Sequence, residues 1–293
     1  MLLKYEIVDN KYFNIKEVLK SYFYVSDRLL VKLKKHSRIF LNGIPSFVTT
    51  SVSIGDVITV DVEFSETSDN IVPVKMDLDV IYEDSCMLVI NKPSGMTVHP
   101  TMNHYSDSLS NGVKFYFDSI NLIRKIRPVN RLDKDTTGIV IFAKNEYIQE
   151  CLARQVRTGD FIKEYMAILA GHLSQSSGTI NIGISRKPGS IIEREVNSSG
   201  DTSITHYEIT KYFPDFTLVK FILETGRTHQ IRVHTKHIGH PIVGDSLYGK
   251  SSDLINRQAL HSNKVTFIHP ITKKKLSIEA KLPEDMKKLI KNC

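Results

Sequence analysis

The chain has 293 residues, 41% of them apolar, so it can bury one large core and still carry a small second domain. Its 39 Lys and Arg against 32 Asp and Glu give a net charge of +7, which favours an acidic partner, nucleic acid first. No apolar run reaches the roughly 18–20 residues of a membrane span, and Met1 to Glu6 has no signal-peptide pattern, so a cytoplasmic protein with no membrane contact is expected.

In chain order, Asn14 is a cap for a helix ending near Ser21. Ser26 or Asp27 caps a second helix, Arg28 to about Lys35, with Leu29, Leu30 and Leu33 inward and Arg28, Lys32, Lys34 and Lys35 on its other side. Ile39-Phe40-Leu41 followed by Asn42-Gly43 predicts a hairpin. Ile54-Gly55-Asp56 turns into a strand over Val57 to Val62. Glu63 to Asn70 is short, polar and acidic, and reads as a linker. Residues 1–70 thus form one module and residues 71–293 a larger domain.

The larger domain begins with strand-like runs at Val80 to Tyr82 and Met87 to Ile90, then a turn at Asn91-Lys92-Pro93-Ser94-Gly95. Gly138 to Ala143 is an apolar run of buried-strand length. Asn145 caps a helix to about Arg157, with Ile148, Cys151, Leu152 and Val156 on one face and Gly159 at its end. Strands follow at Tyr165 to Ala170, Ile204 to Thr210 and Phe216 to Leu223, and Thr228 is a cap for a helix ending at Gly239. Lys273-Lys274-Lys275 reads as a hairpin turn. Irregular connections between the strands predict an α+β fold with a mixed, largely antiparallel sheet. Cys86 and Cys151 are expected in the core, and Cys293 ends the chain; a disulfide framework or structural zinc is not expected.

Two stretches carry the chemistry. Asn130-Arg131-Leu132-Asp133-Lys134-Asp135-Thr136-Thr137-Gly138 sets an acid between two cations, which keep a carboxylate ionised. Thr225-Gly226-Arg227-Thr228-His229-Gln230-Ile231-Arg232 sets two arginines at a helix start. An ionised acid without metal ligands, beside arginines on a basic chain, points to nucleophilic or electrostatic chemistry on a polyanion. No phosphate-cradling or dinucleotide glycine motif occurs. His229, His234, His237 and His240 crowd together without a carboxylate or thiol among them, so they read as hydrogen-bonding groups, with no metal expected.

Arg131-Leu132-Asp133 followed by Thr137-Gly138 resembles the catalytic loop of the RluA-type pseudouridine synthases, His-Arg-Leu-Asp-x-x-Thr-Ser-Gly, with Asn130 in place of the His and Thr137 in place of the Ser. Asn91 to Met96, Lys163-Glu164-Tyr165-Met166-Ala167, Thr225 to His234, Gly239 to Asp245 and Leu260-His261 resemble further motifs, so the likeness spans about residues 75–290. The basic helix beside an Asn-Gly hairpin resembles an S4 RNA-binding domain. The resemblance implies isomerisation of uridine in RNA without a cofactor. It implies Asp133 as the carboxylate that attacks or stabilises C1′, Tyr165 packed on the base and helping to take the C5 proton, and Arg232 paired with Asp133. Arg131 would enter the gap left by a flipped uridine. Lys92, Thr137, Arg227, His229 and Gln230 are the remaining expected substrate contacts. Large-subunit ribosomal RNA is the preferred substrate, transfer RNA stays open, and a monomer is expected.

Two rivals are weighed. Asp133-Lys134-Asp135-Thr136-Thr137 also fits the nucleophile loop of haloacid-dehalogenase-type phosphatases, but Arg127 to Leu132 is poor strand material. A non-catalytic RNA-binding or ribosome-assembly protein would have a broken Asp–Tyr–Arg set, and all three residues are present.

Overall fold

The computed structural model describes residues 1–68 and 70–291; Asp69 of the expected linker and Cys293 lie outside them. The Asn14 side chain accepts the Glu17 amide and caps α1 (Ile15–Glu17), which continues as a π-helical turn over Val18–Tyr22. The Ser26 hydroxyl accepts the Leu29 amide at 3.3 Å and opens α2 (Asp27–Lys35). Four strands, β1 (Leu2–Glu6), β2 (Ile39–Leu41), β3 (Ile44–Pro45) and β4 (Val57–Asp61), pair antiparallel in the order β1-β4-β2-β3. The β2–β3 turn uses two left-handed residues, Asn42 and Gly43, as its sequence dictates.

The larger sheet has nine strands. They are drawn from β5 (Val80–Glu83), β6 (Met87–Lys92), β7 (Thr137–Ala143), β8 (Ile162–Ala170) and β9 (Ser177–Asn181), then, past a separate hairpin of β10 (Ile184–Arg186) and β11 (Arg194–Val196), from β12 (Ile204–Tyr212), β13 (Phe216–Leu223), β14 (Leu260–Ile268) and β15 (Lys275–Glu279). Their order is β5-β6-β7-β14-β8-β13-β12-β9, with β15 beside β14. The β7–β14 pair is parallel and the other named pairs of this sheet are antiparallel. The fold is therefore α+β with a mixed sheet.

Strand alternation covers both faces of the sheet. Leu88, Ile90, Val140 and Phe142 pack with α3 (Leu109–Ser119). Val89, Ile139 and Ile141 pack the opposite way, with Ile148 and Leu152 of α4 (Glu146–Thr158). Helix α4 is capped as expected, with the Asn145 side chain accepting the Ile148 amide and Gly159 left-handed at its end. Helices α5 (Gln230–His237) and α6 (Glu284–Lys291) complete the chain. Among the described residues no helix is long and apolar enough to cross a membrane.

The first seventy residues share a core with the larger sheet. Ile15, Leu29, Leu33 and Phe64 lie in the same apolar cluster as Val89, Ile141, Cys151 and Phe267. The expected linker is correspondingly a strap. Glu66 pairs with Lys32 and Arg127 at 2.7 Å each, and the Ser68 hydroxyl accepts the Ile126 amide at 2.9 Å. Lys32 also reaches Glu146 at 3.4 Å and lies over the Phe64 ring. One of the four expected basic side chains of α2 is thus committed to the fold, while Arg28, Lys34 and Lys35 remain exposed.

Candidate active site

Gly138 fixes where the Asp133 loop leaves the sheet. Its φ is +112°, and a Cβ there would lie 2.2 Å from the Ser262 carbonyl oxygen, so glycine alone lets β7 approach β14 this closely. Before that strand, the Asn130 side chain donates to the Ile139 carbonyl at 2.8 Å and accepts the Ile141 amide at 3.0 Å. The loop between these anchors turns back on itself, with the Thr136 amide donating to the Asp133 carbonyl.

Asp133 opens onto a cleft of about 800 Å³ that Arg131, Tyr165, Arg227, His229, Gln230 and Arg232 also line. Tyr165 projects from β8, whose alternate residues Lys163, Tyr165 and Ala167 share a buried face. Arg232 projects from the first turn of α5. Its Nη1 donates to Asp133 Oδ2 at 3.0 Å, while Nε and Nη2 donate to Asp245 at 2.7 and 2.9 Å. Asp245 is buried and also accepts the Leu247 and Tyr248 amides. Burial disfavours the Arg232 charge, but the bonds to Asp245 and the charge of Asp133 outweigh it and raise its pKa. A fork held by one carboxylate thus presents its remaining N–H to the other.

His229 completes this wall. The Tyr248 hydroxyl accepts the Arg194 amide at 2.8 Å and also hydrogen-bonds His229 Nδ1 at 2.8 Å. His229 Nε2 lies 3.8 Å from Asp133 Oδ2. Burial lowers the His229 pKa, which favours the neutral ring. Burial, with the Asp133 charge adding, pushes the Tyr165 phenol up to about 12.

Residues 86–237 match the family described as RNA pseudouridylate synthase. RNA pseudouridine synthase YjbO of Bacillus subtilis is 38% identical over 268 residues, covering 91% of this chain and 95% of that protein. The chain belongs to the RNA pseudouridine synthase family. Ribosomal large subunit pseudouridine synthase D of Buchnera aphidicola is 40% identical over 233 residues, 74% of each chain. The structure of human RNA pseudouridylate synthase domain containing 1 shares the fold, with a TM-score of 0.59 at 23% identity over 74% of this chain and 94% of that one. The synthase converts uridine in RNA to pseudouridine.

Three of the expected substrate contacts of the synthase are bonded within the fold. Lys92 is buried, and its ammonium donates to the carbonyls of Pro93, Met96 and Lys134 at 2.8 Å each. It pins the Asp133 loop to the turn after β6 and does not line the cleft. Burial pushes Lys92 down to about 7, while three carbonyls match the three donors of its charged form. Thr137 is buried and bonds His261 Nδ1 at 2.8 Å. The Gln230 amide accepts from Thr225 and Arg227 and donates to Ile204 and Thr205, while the residue also lines the cleft.

The cap of α5 also differs from expectation. His229, left-handed at φ +59°, takes the N-cap position expected of Thr228. The Gln230 side chain organises the turn by accepting the Arg227 amide. Arg131, Arg227 and His229 do line the cleft, Arg131 as an exposed rim residue. The histidine group does not converge. His234 bonds Thr205 and the Ile182 carbonyl, His240 the Ala170 carbonyl, and His229 the Tyr248 hydroxyl. Elsewhere, donor atoms of Asp84, Cys86 and His269 lie within 4.8 Å of one another. Both His269 nitrogens are already bonded, to Asp84 and to the Ile271 and Thr272 amides, and burial raises the Cys86 thiol to about 11. These are not the features of a ready ligand set. Asp135, the second acid of the phosphatase-like reading, does not line the cleft.

Proposed function

We propose that this synthase isomerises uridines of large-subunit ribosomal RNA, with Asp133, Tyr165 and Arg232 carrying the chemistry. The observation that carries the reading is the Asp245–Arg232–Asp133 chain, which aims the Asp133 carboxyl group into a cleft beside a buried tyrosine. Asp133 meets C1′ as the N1–C1′ bond breaks, either by attack or by stabilising the charge that develops there. The electron pair leaves with uracil. The base turns on the Tyr165 face, C5 bonds to C1′, the C5 proton leaves and N1 gains one. Tyr165 takes the C5 proton as its phenolate, a minor form at neutral pH because burial pushes the phenol up to about 12, and N1 takes its proton from solvent. Arg131, exposed at the rim, fills the gap left by the flipped nucleotide.

Relatives named for the large ribosomal subunit support ribosomal RNA as the substrate. Residues 1–70 act as an S4-like affinity module through the exposed Arg28, Lys34 and Lys35, and residues 71–293 as the catalytic domain of a cytoplasmic monomer. The test is purified protein on large-subunit ribosomal RNA and on transfer RNA, with pseudouridine as the readout. Wild type should convert the ribosomal RNA and Asp133→Asn should convert neither. Equal conversion by Asp133→Asn would remove the proposed chemistry. Conversion of transfer RNA alone would remove the proposed substrate.

A further inference from the structure

Lys163 is the buried cation of the cleft wall that the chemistry above does not use. It is 8% exposed, stands two residues before Tyr165 on the same face of β8, and lines the cleft. Among the described residues its ammonium has no hydrogen bond and no ion pair. The other buried cations of the region differ in this respect: Lys92 has three carbonyls, Arg232 has Asp133 and Asp245, and Arg257 has Asp285. Glu224, an acid of the same wall, is engaged by His206 at 2.6 Å.

The position of Nζ is also defined. A Cβ added at Gly226 would lie 3.3 Å from it, so the ammonium sits against the backbone of the Thr225–Arg227 turn. Most of the side chain is out of water, which disfavours its charge, while Nζ reaches the cleft. Burial accordingly lowers the Lys163 pKa, with no acid offsetting it. Such a charge is retained where a ligand supplies the missing anion. Arg157 and Arg227 line the same cleft and add further positive charge to it.

We propose that Lys163 is the seat for a backbone phosphate of the RNA strand next to the flipped uridine. Strand geometry supports this placing. Lys163 lies roughly 6.6 Å along β8 from Tyr165, on the side of the Arg227 turn, a separation comparable with that between a base and its flanking phosphodiester. The inference rests on the RNA reading above. A phosphate arriving at Nζ would neutralise the unpaired charge and restore the ordinary lysine pKa.

The test uses full-length protein carrying Asp133→Asn, so that turnover does not intervene, and a ribosomal RNA fragment that wild type converts. Affinity is measured against salt for this chain, with Lys163→Met and with Lys163→Arg. Lys163→Met should reduce the log–log salt slope by about 0.7–0.9, the value of one phosphate contact, and Lys163→Arg should keep it. A methylphosphonate at one linkage beside the target should weaken binding to the Lys163 chain and leave Lys163→Met unaffected. The Lys163→Met melting midpoint should not fall, because an unpaired buried charge is removed; a lowered midpoint would assign Lys163 to the fold and overturn the proposal. An unchanged salt slope would also overturn it. So would unchanged binding with lost conversion when Asp133 is restored, which would put Lys163 on the departing base. If wild type converts no RNA, the RNA reading itself fails, and that result is separate from any of these.

Discussion

Arg232 is aimed at Asp133 by Asp245, a residue that does not line the cleft. Asp245 is buried and bonds Arg232 twice, so its loss would leave a buried guanidinium with Asp133 as its one remaining acid. Asp245→Asn should cost about 3–5 kcal/mol of stability and lower conversion as well, because the Arg232 fork would no longer be aimed. Full stability with reduced conversion would confine Asp245 to orientation alone. Tyr248→Phe should lower the conversion rate with the RNA affinity unchanged, since it frees the His229 ring from its hydrogen bond to the Tyr248 hydroxyl. An unaltered rate would leave that hydroxyl without a role. Tyr165 gives a pH test. Its pKa is raised to about 12, so the phenolate fraction grows as pH rises. Where C5 proton removal limits turnover, log rate should climb with a slope near one between about pH 7 and 10, and a flat profile would leave Tyr165 as a stacking platform only.

Among the elements, α2 and the strap after β4 decide how the first seventy residues act. Deleting them would expose the cluster that Ile15 and Leu33 share with Val89 and Ile141, so loss of binding after deletion would mix unfolding with lost contacts. Charge reversal at Lys34 and Lys35 avoids this, because both are exposed. It should weaken RNA binding and flatten its salt dependence at an unchanged melting midpoint; unchanged affinity would remove α2 from the interface. These elements also mark what the sequence can and cannot tell. Helices α2 and α4 were legible because a capping Ser or Asn precedes a 3.6-residue apolar period. β7 was legible as an uninterrupted apolar run. β1 was not, since Leu2 to Glu6 has no clean alternation and its partner β4 lies more than fifty residues on. Helix α3 was missed because its buried face includes Ser110, Asn111 and Gly112, which do not read as apolar. The strap read as a linker because the partners of Glu66 and Ser68 are distant in sequence. At the site, Asp133, Tyr165 and Arg232 are legible from motifs, as are Lys92, Thr137 and Gln230, whose bonds within the fold are not. Asp245 and Lys163 stand within the same family-like motifs, but only the fold reveals the bonds one makes and the other lacks.

For the molecule as a whole, acid should loosen the fold in two overlapping steps. Burial lowers His261 to about 4, so between about pH 6.5 and 4 the unfolded chain takes up a proton that the folded chain refuses. Stability therefore falls as pH falls through that window. Glu66 follows: burial raises its pKa, but Lys32 and Arg127 outweigh this and hold it below the usual carboxylate range. Its contribution is present above the ordinary glutamate value and is lost as pH falls through the lowered one. The melting midpoint should drop steadily from about pH 6.5 downward, and a constant midpoint to pH 4 would contradict the assignment of His261 as a buried neutral ring. A single sheet, covered by α3 on one face and by α4 with the first seventy residues on the other, holds the Asp133 loop, β8 and α5 around one cleft. The central claim is that this cleft makes pseudouridine in ribosomal RNA through Asp133. Pseudouridine mapping of total RNA tests it most directly, comparing cells lacking the protein with cells rescued by wild type or by Asp133→Asn. The account predicts large-subunit sites that vanish in the null, return with wild type and stay absent with Asp133→Asn; sites restored equally by both proteins would contradict it.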